Sequence, residues 1–75
     1  MLVKHKEINE MKATMLILFT LSGSPQVATI EHNTMYDCLR ANVQITESIF
    51  EKRIKPLENE KRRCVPGSNF KLHQD

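Results

Sequence analysis

"MLILFTLSGSPQVATIEH", residues Met15 to His32, decides the fold of this chain, because it supports two incompatible readings. In the first it belongs to a secretion leader. Ala13–Leu21 has the length of an apolar signal core, and Lys4, Lys6 and Lys12 supply a basic segment ahead of it. The cleavage site weakens that reading. Cutting after Ala28 puts the bulky Gln26 where a small residue is needed, and cutting after Ser24 leaves Pro25 beside the scissile bond. In the second reading Met15–Leu21, interrupted only by Thr20, is a strand covered on both faces, where alternation of apolar and polar residues is lost. Ser22-Gly23-Ser24-Pro25 is then the turn, with Gly23 free to take positive φ. Gln26–His32 follows as a β-branched, roughly alternating outer strand. We adopt the hairpin and keep a secreted or periplasmic protein with a cleaved leader as the alternative.

Downstream the pattern changes period. Thr34 is placed to cap a helix, and Asp37, three residues on, sits near the positive end of the helix dipole. Steps of about 100° per residue put Met35, Cys38, Leu39, Val43, Ile45, Ile49, Phe50 and Ile54 on one broad apolar face. Asp37, Arg40, Gln44, Glu47, Ser48, Glu51 and Lys55 occupy the other. Pro56 drives Lys55 out of helical geometry, so an amphipathic helix is expected from Met35 to about Ile54. After a charged connection, Arg62–Pro66 is short enough for a final edge strand, ended by Pro66 and Gly67.

The order β-β-α-β implies a small α+β domain over residues 13–67, a three-stranded sheet packed on one long amphipathic helix. A right-handed crossover through the helix makes the second and third strands parallel and leaves the most apolar strand in the middle. Residues 1–12 read as an N-terminal extension in which Met11-Lys12 resembles an alternative start, and residues 68–75 as a flexible tail.

A chain of 75 residues buries only about 60% of its unfolded surface, so a second source of stability is expected. There is no Trp, and Phe19, Tyr36, Phe50 and Phe70 are the aromatic residues, so Leu, Ile, Val and Met must make the core. No apolar run approaches the roughly 18 residues that span a bilayer. The net charge of +2 is too small to argue for nucleic acid. Charge is uneven, however: Glu51–Arg63, "EKRIKPLENEKRR", holds six bases and three acids. Within it Arg53, Lys55, Lys61, Arg62 and Arg63 are candidate anion or partner contacts, although such a run is most often a solvated surface. No interleaved aromatic residues or groove-reading helix accompany them, which disfavours nucleic acid.

Cys38 and Cys64 lie on the apolar side of the helix and in the last strand, where they are within reach of each other or stand as two buried free thiols. Were they joined, the closed loop of 27 residues would contribute about 3–4 kcal/mol. A nucleophilic Cys38 needs a base, and His32, its one candidate, has nothing to orient it. His5, His32 and His73 stand at no metal-ligand spacing, so no metal or cofactor is expected.

"ATIEHNTMYDCLRANVQI" followed by "RRCVPG" resembles a loose group of short, uncharacterised bacterial and phage proteins. They share a strand, a Thr-x-x-x-Cys helix start (Thr34 to Cys38 here) and a terminal Cys-Val, often followed by Pro (Cys64-Val65-Pro66 here). The resemblance covers residues 11–67 and implies a disulfide between Cys38 and Cys64, and no activity. The N-terminal extension and the long charged connection Lys55–Lys61 depart from the group's pattern.

With no paired carboxylates, nucleophile motif or phosphate-cradling loop, a non-enzymatic interaction or structural accessory module is expected, a minor component of an assembly such as a virion or envelope complex. Its partner is unidentified: another protein, or a second copy joined through the sheet edge at Gln26–His32. A weak nucleic-acid or anion binder acting through residues 52–63 is the further alternative. An oxidised cysteine pair implies an extracytoplasmic or virion setting, and reduced thiols a cytoplasmic one.

Overall fold

The computed structural model describes residues 10–68; of the expected extension over residues 1–12 and tail over 68–75, residues 1–9 and 69–75 lie outside them. Four elements follow in the expected order: β1 (Ala13–Leu21), β2 (Ser24–His32), α1 (Met35–Phe50) and β3 (Lys61–Pro66). Met15–His32 is therefore folded as a hairpin. The sheet order is β2-β1-β3, with β1 antiparallel to both neighbours, so β2 and β3 run parallel and α1 is the crossover between them.

The hairpin closes more tightly than expected. Leu21 pairs with Ser24, leaving Ser22 and Gly23 as a two-residue turn with φ of 50° and 82°. Two successive positive φ values define the type I′ turn, whose twist matches that of the flanking strands. Ser24 and Pro25 thus belong to β2 rather than to the turn. Pro25 is tolerated because it faces Thr20 in a non-hydrogen-bonded pair, with its ring nitrogen turned to the outer edge. Pro66 occupies the equivalent outward position on β3, opposite Ala13. Each edge strand thus carries a proline where an outward N–H would otherwise stand.

Thr34 caps α1, its Oγ1 accepting from the Asp37 N–H at 3.0 Å. The helix ends a turn earlier than expected, at Phe50, and Pro56 is not what stops it. Lys52 takes φ of 62°, the Lys52 N–H donates to the Ile49 carbonyl at 3.0 Å, and the Arg53 N–H donates to the Ser48 carbonyl at 2.8 Å. These bonds form a Schellman cap with Lys at the left-handed position that glycine usually fills.

Strand alternation sends Ala13, Met15 and Ile17 toward α1. Ala13, Met15, Met35 and Cys38 form the buried apolar core, with Ile17, Ala41, Ile45 and Cys64 packed around it. The face of α1 on the sheet is narrower than expected: Leu39, Val43 and Phe50 are exposed. A single helix packed most closely on β3 and β1, and less on β2, can bury only one stripe, along Met35, Cys38, Asn42, Ile45 and Ile49.

Candidate functional site

The five candidate basic residues do not form one patch. Arg53 lies beyond the helix and pairs with Glu51 at 2.5 Å, with both side chains well exposed. Lys55 is exposed in the connection. Lys61 and Arg63 pair with Leu18 and Leu16 of β1, and so project from the sheet face turned away from α1. Arg62 projects from the opposite face, toward the helix.

Arg62 is engaged within the chain. Its Nε donates to Asn42 Oδ1 at 2.6 Å and its Nη2 to Thr46 Oγ1 at 2.7 Å, while Nη1 pairs with Glu60 Oε2. Glu60 uses its other oxygen to accept the Leu57 N–H at 2.7 Å, which shapes the connection. The Arg62 side chain is only 12% exposed. One step along the same strand face, Cys64 is joined to Cys38 with a Cα–Cα distance of 6.1 Å, and no described cysteine is free. Alternate residues of a strand are about 6.7 Å apart and residues i and i+4 of a helix about 6 Å apart, so the two spacings nearly match. Cys64 and Arg62 therefore meet Cys38 and Asn42 as successive rungs between β3 and α1.

This second rung escaped sequence reasoning, although its signal was present. Asn42 and Thr46 stand four and eight residues after Cys38, on the side of α1 toward β3, where polar groups require partners. Arg62 shares the face of Cys64 by strand alternation.

Among the described residues two places present exposed apolar side chains. On the sheet face away from α1, Leu18 is 43% exposed beside its pair Val27, rimmed by Lys61 and Arg63. On α1 an open groove of about 420 Å³ is lined by Tyr36, Leu39, Arg40, Val43, Gln44 and Glu47. His32 carries a buried Nε2 with no hydrogen-bond partner, and with Cys38 oxidised it has no thiol to activate. Among the described residues no group of His, Cys, Asp or Glu gathers that could hold a metal ion, and no helix is long and apolar enough to cross a membrane.

Comparison with protein-family models, curated proteins and solved structures finds no match to this chain.

Proposed function

We propose that this protein is a small, non-catalytic interaction module that acts as an accessory component of a larger assembly. The observation that carries this reading is the distribution of apolar surface. Four apolar residues are buried among those described, whereas Leu18, Leu21, Val27, Ile30, Tyr36, Leu39, Val43 and Phe50 are all exposed. Exposed apolar side chains grouped on a small folded domain, such as Leu18 with Val27 on the sheet and Tyr36, Leu39 and Val43 on α1, mark candidate interaction sites. The dispersal of the basic residues, with Arg62 spent internally, gives less support to an anion or nucleic-acid role.

The reading is tested with photo-cross-linking side chains introduced at Leu18 and at Val43, in the cells that naturally produce the protein. An interaction module yields an adduct of discrete mass from one position or both. Uncross-linked chain alone at both positions overturns the reading.

The Cys38–Cys64 disulfide supports an oxidising compartment, a cell envelope or a particle surface as the working environment. The intact mass of the native protein, with and without reductant, tests this. Thiols that alkylate in denaturant without reductant place it in a reducing compartment. A chain starting near Thr29 has lost β1, the strand that supplies Ala13 and Met15 to the core, and marks the segment as a cleaved leader.

A further inference from the structure

We propose that the outward face of α1 pairs with the same face of a second copy of this chain. The two helices run antiparallel about a two-fold axis level with Val43 and Gln44. The inference rests on the interaction reading above and narrows it to one partner.

The argument begins with where the exposed side chains stand. At about 100° per residue, Tyr36, Val43 and Phe50 form one line roughly 120° round α1 from the centre of the stripe it lays on the sheet, so they stand on an outer flank of the helix. They are 54%, 56% and 86% exposed, too open for the domain's own core to account for them. Tyr36, Val43 and Phe50 recur every seven residues, the spacing that keeps one seam against a partner helix. An aromatic residue stands at each end and Val43 at the middle. An antiparallel two-fold pairing then sets Tyr36 against the partner's Phe50, and Val43 beside its own symmetry mate.

Charge selects the occupant. Arg40 and Glu47 lie on the same side of this apolar line, seven residues and roughly 10.5 Å apart along the axis. Neither forms an ion pair within the described chain; Arg40 instead lies 5.8 Å from the centroid of the Tyr36 ring. A two-fold axis midway between Arg40 and Glu47 brings each Arg40 to the partner's Glu47 twice over, on one side of the seam, with the apolar line on the other. A parallel pairing instead sets like charges level with each other. The surface is thus complementary to itself in one orientation, as an isologous interface must be. A single helix face falls at the small end of specific interfaces, below roughly 1,200 Å² in total, so a micromolar dimer is expected.

The test is sedimentation equilibrium of the full, oxidised chain. The expected wild type is a dimer. Arg40→Glu and Glu47→Arg each weaken it about tenfold, and the Arg40→Glu/Glu47→Arg double exchange restores it. Val43→Glu sets two carboxylates at the axis and leaves monomer only. Circular dichroism and Tm show whether each variant folds; should Val43→Glu fail, the charge exchange decides alone, since both its residues are exposed. A monomeric wild type overturns the proposal, as does a dimer indifferent to the single reversals or one lost instead on Leu18→Glu. A Val43 cross-link to a different protein also overturns it while leaving the interaction reading in place. No adduct from Val43 or Leu18 removes both.

Discussion

The two rungs that join α1 to β3 solve one problem by different chemistry. At Cys38 the link is covalent and sits beside Met15 and Met35, the largest apolar side chains of the core. One helical turn further, at Asn42 and Thr46, the link is polar and depends on the Arg62 fork. The covalent rung acts mainly on the unfolded chain, by restricting its conformations. The polar rung acts only when the chain is folded, because a nearly buried guanidinium is tolerable only with its partners in place. Among the described residues four apolar side chains are buried, a small core with which to hold a helix on a sheet. Here cross-links of both kinds stand in for the missing apolar area, and they fix the helix's register as well as its attachment.

The comparison is broken most severely by reduction. Urea unfolding with and without reductant, the sequence unchanged, is expected to show a loss of about 3–4 kcal/mol for a closed loop of 27 residues. Arg62→Ala comes next, at about 2–3 kcal/mol, because it leaves the part-buried Glu60 and Asn42 without their guanidinium partner. Arg62→Lys falls between Ala and wild type, since an ammonium keeps the charge pair with Glu60 but cannot fork to both helix side chains. A smaller step, Thr46→Val, removes one acceptor from Arg62 and is expected to cost about 1 kcal/mol in the same assay. Arg63→Ala sharpens the contrast as its control. Adjacent in sequence, exposed and on the opposite sheet face, it should change stability by less than about 0.5 kcal/mol. Equal costs for Arg62→Ala and Arg63→Ala would show that the second rung contributes nothing.

Arg62 and Arg63 also show where sequence reasoning stops. Both read as members of one basic run, because composition carries no information about which strand face a residue takes. Only the placement of α1 over β3 gave one of them two helix partners beside the neighbouring Glu60 and left the other in solvent. The helix shows the same limit. Its apolar residues cover more than one face, and periodicity alone cannot tell the stripe on the sheet from a second stripe free for a partner. Leu39, Val43 and Phe50 therefore read as part of the core face, and they are exposed.

The features legible along the chain are local in origin. The type and order of the four elements follow from the apolar run, the turn residues, the Thr34 cap and the 3.6-residue period, each a property of a few neighbouring residues. The β2-β1-β3 order follows almost as directly, since a right-handed crossover leaves the most apolar strand its central place. The tertiary structure alone decided how far each pattern runs and what it faces. Gly23 and Ser22 closed the turn before Pro25, a left-handed Lys52 ended α1 before Pro56, and one helix on a three-stranded sheet buried a single stripe. Each of these turns on contacts between segments distant in sequence, or on backbone states open to many residues. Side-chain chemistry read in order along the chain does not specify them.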